Sequence, residues 1–388
     1  MSSQYDVIVI GGGIVGAATA YQLAQTGKKI LLLDQFEPGH TRGSSHGDGR
    51  VVRFNYTEAI YVEMAVLAYK AWEALGQEAG QPLFQKTGLI EYGPADCEAI
   101  NISESNLKQY KIAYERLPVT EGSARFPQFH FASGSDVLYQ PEGAIAFATP
   151  AVKALWRLSS ERGVSTQTGQ RVAAIEPETN QVRVRSATGE IWLAQHVVIA
   201  TGGWAQQMLA TLNLQIPLEV TQELLAYFPP KDETNHRIGA MPVMIDYHDA
   251  EAPYYCLPQV EVGGVKTGWH HSGNVVEPDK PQTTNAHVLK QMQAWVERVF
   301  PHLNKVPIET HNCLYTSTPD FHFVLDRHPV YQNVIIGAGF SGHGFKFGPV
   351  LGQLLAELVL EKEPSVGLDT FAIRRFDNPE TLQKRIGA

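Results

Sequence analysis

Residues 6–34, DVIVIGGGIVGAATAYQLAQTGKKILLLD, constrain the fold more than any other stretch. Asp6–Ile10 is a short apolar, β-branched run, suited to a strand buried on both faces of a parallel sheet. It leads straight into glycines at 11, 13 and 16, which fit G-x-G-x-x-G. Ala20, Leu23 and Ala24 then continue at helical spacing to a predicted C-cap at Gly27. KILLLD reads as a second buried strand ending in an acid, Asp34. Each part has a mechanical reason. Gly11 permits a tight turn, Gly13 lets a pyrophosphate approach the backbone, and Gly16 lets the helix pack on the strand. The helix N-terminus turns its N–H groups toward the phosphates, and Asp34 can accept hydrogen bonds from a ribose while repelling a 2′-phosphate. The motif does not choose between NAD and FAD.

The chain has 388 residues, 44% of them apolar, enough for two domains with separate cores. A formal net charge of -9 argues against a nucleic-acid partner, which usually requires a basic face. MSSQYDVIVIGGG carries no basic segment ahead of its apolar run, and no stretch supplies ~18 uninterrupted apolar residues. The expectation is a soluble cytoplasmic protein without a membrane partner. Cys97, Cys256 and Cys313 are too few and too scattered for a disulfide framework or a metal site, and unpaired thiols suit a reducing compartment.

Residues 57–80 and 150–163 read as amphipathic helices, the second ending at Gly163. RVAAIEP, QVRVRSA and EIWLAQHVVIATGG follow as short strands with turns between them. Near the C-terminus, VIIGAGFSGHGFKFG repeats the opening grammar: a buried strand, a glycine-rich turn, and a helix starting near Phe347. A nucleotide domain from 1–85, 150–215 and 320–388 and a substrate domain from 86–149 and 216–319 are therefore expected. The second glycine turn and Cys313 are left unexplained by an NAD-dependent dehydrogenase.

Five separated segments carry a resemblance: DVIVIGGG with GSSHGDGRVVR, TGLIEYGP at 87–94, YYCLPQ with VKTGWH at 254–270, CLYTSTPDFHFVLDRHP at 313–329, and GFSGHGFKF at 339–347. In this order they resemble the monomeric sarcosine oxidase and N-methyltryptophan oxidase family of FAD-dependent amine oxidoreductases. The resemblance covers nearly the whole chain. It implies a D-amino-acid-oxidase-like fold, in which an α/β, Rossmann-like FAD-binding domain is joined to an α+β, mixed-sheet substrate domain. It also implies a monomer.

The same resemblance assigns roles. Cys313 matches the cysteine bonded covalently to the flavin, with nearby cations lowering its thiol pKa. Arg53 and Lys346 match residues that hold the substrate carboxylate, as a bidentate guanidinium and a point charge would. Tyr255 matches a substrate-side tyrosine, with a one-residue alternative at Tyr254. Lys266 matches the lysine that activates O₂, where a cation stabilises superoxide. His270 matches a substrate-side histidine, and Tyr315 is expected on the same strand face as Cys313. His46 and Arg50 match groups near the flavin ring, where a cation favours anionic reduced flavin. Gly342, His343 and Gly344 join Lys346 as cofactor-binding residues of the second turn. Where the family reads HHGDTR and RHAYGEG, this chain has SHGDGR and RFNYTEA, so Ser45, Gly49, Phe54 and Asn55 are departures beside flavin or substrate.

The expected activity is oxidation of a secondary amino acid, N-methyl or cyclic. A hydride equivalent passes to flavin N5, the imine hydrolyses, and O₂ becomes H₂O₂. The rivals are an amino-acid dehydrogenase with another electron acceptor and a non-catalytic flavoprotein.

Overall fold

Strand Ser3–Ile10 lies in the middle of a sheet because its residues from Val7 to Ile10 are apolar and buried, which leaves no face for water. The computed structural model describes residues 3–249, 251–280 and 283–378, with 380 and 382. Ser3–Ile10 pairs in parallel with Ile30–Leu33 on one side and Ile191–Ile199 on the other. Ser165–Gln167 extends the sheet beyond Ile30–Leu33, and Val334–Ala338 extends it beyond Ile191–Ile199, both in parallel. Val324–Arg327 closes that edge antiparallel. One strand therefore separates the N-terminal strand from the C-terminal one. The expected meander is formed as well, with Val172–Pro177, Val182–Ser186 and the first half of Ile191–Ile199 antiparallel in sequence.

Two glycines let the first helix sit against this sheet. Gly11 has φ of +98°, and a Cβ there would lie 2.4 Å from the Ala200 carbonyl oxygen. At Gly16 a Cβ would lie 1.8 Å from the Gly11 oxygen. The helix Ile14–Ala24 is capped by Gln25, two residues before the expected Gly27. The Thr26 hydroxyl and amide both bond to the Leu23 carbonyl, closing the last turn early, and Gly27 takes its positive φ in the turn that follows. The C-terminal helix Gly348–Val359 packs across Ile14–Ala24, where Gly352 would place a Cβ 2.5 Å from the Ala18 backbone. Helices Ala59–Ala79 and Ala148–Glu161 lie where the apolar spacing predicts, the first ending at left-handed Gly80.

A second, mixed sheet is built largely from the middle of the chain. Its order is Asn274–Val275, Glu219–Phe228, Val265–Trp269, Tyr254–Leu257, Val243–Asp246, Leu89–Pro94, Ser135–Gln140 and Glu115–Leu117, with Glu309–Ser317 also paired to Glu219–Phe228. Val243–Asp246 and Leu89–Pro94 are parallel, whereas their neighbours are antiparallel. Helix Ala286–Val299 covers this sheet with Val288, Met292, Trp295, Val296 and Val299, an i, i+4, i+7 stripe. Arg50–Val52, Ala144–Ala146 and Phe84–Lys86 form a small third sheet. The architecture is a Rossmann-like α/β layer joined to a mixed-sheet α+β layer. No helix among the described residues is long and apolar enough to cross a membrane.

Gly352 tests the helix contact on which the glycine turn rests. Gly352→Val should lower unfolding free energy by about 2–3 kcal/mol, since the added atoms would press on the Ala18 backbone and Cβ and on the Thr19 amide, none of which can swing aside. Urea midpoints read the change.

Candidate active site

A cavity runs from the glycine turn to the mixed sheet. At its first end, Asp34 accepts hydrogen bonds from the Gly12 amide at 2.6 Å and the Phe36 amide at 2.7 Å. The acid therefore fixes the turn as well as lining the cavity, and burial pushes its carboxyl pKa up against those bonds. Gly11 and Gly13 form the adjoining wall, and a Cβ on Gly13 would come within 3.1 Å of the Ser45 hydroxyl. That hydroxyl accepts from the Ile14 amide at 3.1 Å, so the departure at Ser45 caps the helix start. Thr201 on the same wall presents a buried hydroxyl without a hydrogen-bond partner among the described residues. Gly16 is not on the wall and acts by packing beneath it.

The other end gathers side chains from both sheets. Arg50, Arg53, Tyr255, Lys266, His270, Cys313, Tyr315, Gly342, His343, Gly344 and Lys346 all line the cavity. The two-residue strand period puts Cys313 and Tyr315 on one face, as expected. Two glycines make room for two phenols: a Cβ on Gly342 would lie 2.3 Å from the Tyr315 ring, and one on Gly268 2.5 Å from the Tyr255 ring. Tyr315 and His270 Nδ1 share a hydrogen bond of 3.0 Å. Tyr254 turns the other way, stacked between Trp269 and Trp295, so the register alternative falls to Tyr255.

Charge in this wall is set by burial. Lys266 donates to the Gly49 carbonyl at 2.7 Å and lies 3.5 Å from Asp48, which also accepts from Tyr227 at 2.9 Å. Burial first, and then Arg50, bring the Lys266 pKa down to about 7 despite Asp48. The lysine that the resemblance assigns as a preplaced cation therefore has a pKa well below that of an ordinary lysine. Burial raises the Cys313 thiol to about 11, although Arg50 and Lys266 pull it down. The expected net lowering is absent from the protein alone. His46 lies outside the cavity lining, and burial, followed by Arg50 and Lys266, lowers its pKa to about 3, which favours the neutral imidazole.

Arg53 and Lys346 both line the cavity beside Tyr56. The Arg53 guanidinium carbon lies 4.7 Å and the Lys346 nitrogen 5.5 Å from the centre of the Tyr56 ring, in one buried corner. They come from residues almost three hundred positions apart. Trp72 holds the second cation's backbone, donating to the Lys346 carbonyl at 2.7 Å.

A family model described as FAD dependent oxidoreductase matches residues 6–358. The chain belongs to this family of FAD-dependent oxidoreductases. It is 35% identical to human peroxisomal sarcosine oxidase over 377 residues, 96% of each chain. It is 33% identical to monomeric sarcosine oxidase of Bacillus sp. strain B-0618, covering 99% of each. Among solved structures, an unusual amino acid oxidase essential for nikkomycin biosynthesis, in its open form, superposes with a TM-score of 0.85 at 22% identity, over 96% of this chain and 98% of that one. The cavity of this FAD-dependent oxidoreductase suits the cofactor, since the ribose-type acceptor Asp34, the glycine turn and the Thr201 hydroxyl all belong to its lining.

Four polar residues of the site escaped the sequence reading. Asp48 partners Lys266, Glu91 faces Arg53, Tyr247 bonds to both Arg53 and Glu91, and Glu223 stands opposite Cys313 in the strand register. A lone acid inside each apolar strand, LIEYGP and TQELLAYF, was the available signal. Burial raises Glu223 to about 7.

Gly13 offers a direct check on the cofactor wall. Gly13→Val should give a folded protein that purifies without flavin absorbance, because the side chain would occupy the approach beside Ser45. Retention of full flavin content would place the phosphates elsewhere.

Proposed function

We propose that this oxidoreductase oxidises secondary amino acids, of the N-methyl or cyclic kind, with O₂ as electron acceptor. The observation that carries the reading is that Arg53 and Lys346 both lie beside Tyr56, in the cavity that also holds Cys313 and Lys266. Two buried cations at one end of a cavity favour a carboxylate there, and the relatives named as sarcosine oxidases act on such an amino acid.

Bound FAD supplies the acceptor for a hydride equivalent from the carbon next to nitrogen. The chain's residues do the rest. Arg53 and Lys346 hold the carboxylate, and Tyr255 and the Tyr315–His270 pair border the amine. Burial of the corner excludes water and strengthens each charge interaction. Cys313 is the residue we assign to covalent attachment, and Lys266 to the side on which O₂ is reduced. Gly342, His343 and Gly344 line the cofactor's second turn. The Rossmann-like sheet with 1–85, 150–215 and 320–388 is taken as the FAD domain, and 86–149 with 216–319 as the substrate domain, acting together in a monomer.

The test is anaerobic titration with a panel of secondary amino acids, followed by peroxide measurement on admitting air. At least one N-alkyl or cyclic amino acid should bleach the flavin, and one H₂O₂ should appear per imine formed. Bleaching without peroxide would favour a different acceptor, and no bleaching would remove the reading.

Lys346→Met should raise the dissociation constant of the responsive amino acid by ~10²-fold, taking roughly 3 kcal/mol for a partly desolvated charge pair. The methyl ester of the same amino acid should bind weakly to the wild type and lose little more in the variant. An ester that binds as well as the free acid would exclude the clamp.

The Lys266 pKa makes a signed prediction for the reaction with oxygen. A lysine lowered to about 7 is cationic below that pH and neutral above it. The rate constant for reoxidation by O₂ should therefore fall as pH rises through neutrality, whereas Lys266→Met should be slower by about 10²-fold and lose that dependence. Stopped-flow reoxidation measures both, and a pH profile unchanged by the substitution would remove Lys266 from the step.

A further inference from the structure

Lys266 is buried in the cavity wall, and each of its two acceptors among the described residues also serves another donor. The Gly49 carbonyl accepts from Lys266 at 2.7 Å and from Arg50 Nη1 at 3.0 Å. Asp48 Oδ1 accepts from the Tyr227 hydroxyl at 2.9 Å and lies 3.5 Å from the Lys266 nitrogen. The neutral donor thus makes the shorter contact with the carboxylate. An ammonium beside a carboxylate ordinarily closes to about 2.7–2.9 Å, so Lys266 and Asp48 form a loosened pair. Tyr227 and Lys266 stand opposite each other on the antiparallel strands Glu219–Phe228 and Val265–Trp269, which turns both side chains to one face and toward the same carboxylate. Tyr227 is itself outside the cavity lining, with its ring edge-on to His311 at 5.6 Å. Burial, and then Asp48, push its phenol pKa up, so it stays a donor at any working pH.

We propose that Tyr227 is a positioning residue for Lys266: by occupying the Asp48 oxygen that the lysine faces, it keeps the ammonium out of a close ion pair and leaves its charge to the cavity. The consequence for the reaction with oxygen rests on the assignment of Lys266 to that step. Two effects of the phenol act in one direction. Its O–H supplies the hydrogen bond that the buried carboxylate would otherwise draw from the lysine, and the positive end of the O–H dipole points to the oxygen shared with the ammonium. The lowering of Lys266 by burial and Arg50, against the pull of Asp48, agrees with a pair held apart. The other titratable groups around the lysine are Arg50 and His46 on the segment that carries Asp48, and Cys313 on Glu309–Ser317, while the neighbour across the remaining strand is apolar Leu257. These are unchanged in a Tyr227 variant.

The test is a pH titration of flavin absorbance in the resting holoenzyme, without substrate. A midpoint that Lys266→Met abolishes belongs to Lys266. Tyr227→Phe, which keeps the ring beside His311, should move that midpoint up by at least about half a pH unit, because the freed Asp48 oxygen closes on the ammonium. Asp48→Asn should move it down by at least about one unit, because the opposing charge is gone. Opposite shifts from the two partners of one hydrogen bond are not what a general loosening of the wall would produce. Should Asp48→Asn fail to fold, Tyr227→Phe alone decides. The pH at which reoxidation by O₂ slows should rise in Tyr227→Phe by the same amount as the spectral midpoint. A folded, flavin-loaded Tyr227→Phe with an unchanged or lowered midpoint overturns the inference and leaves the role of Lys266 with oxygen standing. A raised midpoint that reoxidation does not follow leaves Tyr227 positioning Lys266 and takes the lysine out of the oxygen step. If no midpoint depends on Lys266, the inference fails.

Discussion

Burying a cation in a protein costs more than most single contacts return, and the wall of this cavity buries Arg53, Lys266 and Lys346. The rest of the site is arranged around that constraint. Glu91 and Tyr247 support Arg53 from behind, and the Gly49 carbonyl and Asp48 support Lys266. The face of Tyr56 lies beside both Arg53 and Lys346. The supporting groups differ in kind, and so do the consequences. Arg53 stays cationic next to a carboxylate, whereas Lys266, with Arg50 near and Asp48 only at 3.5 Å, is brought to neutrality's edge. The proposed division of labour follows: one permanent charge for binding, one adjustable charge for the reaction with oxygen.

These groups meet because the two sheets share a cavity. Arg50 and Arg53 leave the small third sheet, Tyr255, Lys266, Cys313 and Tyr315 project from the mixed sheet, and Lys346 lies in the 3-10 turn Phe345–Phe347 just before the helix that packs on the glycine-turn helix. The close approach at Gly352 therefore links nucleotide-turn geometry to the position of Lys346. Trp72 extends the link, since its hydrogen bond to the Lys346 carbonyl ties in the helix Ala59–Ala79. A disturbance of helix packing would reach the substrate corner through these contacts.

What was legible in the sequence was what residue type and short spacing dictate. Only glycine tolerates Gly11's φ and the contacts at Gly16, so that turn could be read from its letters. Cys313 and Tyr315 share a face by strand period alone. The family resemblance brought Arg53 and Lys346 together across the chain. The partnerships that set charge were not visible: Asn55 and Glu91, Asp48 and Lys266, Arg53 and Tyr247 are separated by 36, 218 and 194 residues. The lowered pKa of His46 was hidden for a related reason. A histidine's charge depends on burial and neighbouring cations, and neither is written in its local sequence. Gly27 shows the same limit on a small scale, because the Thr26 hydroxyl ended the helix first.

The central claim is that one cavity joins the N-terminal glycine turn to Cys313 on the mixed sheet, with FAD spanning the two. Acid precipitation of the purified protein, followed by peptide mapping of the pellet by absorbance and mass, tests it most directly. Flavin should stay with the denatured chain and map to the peptide containing Cys313, while Cys313→Ser should release it to the supernatant. Flavin freed from the wild type, or attached to a peptide without Cys313, would contradict the account.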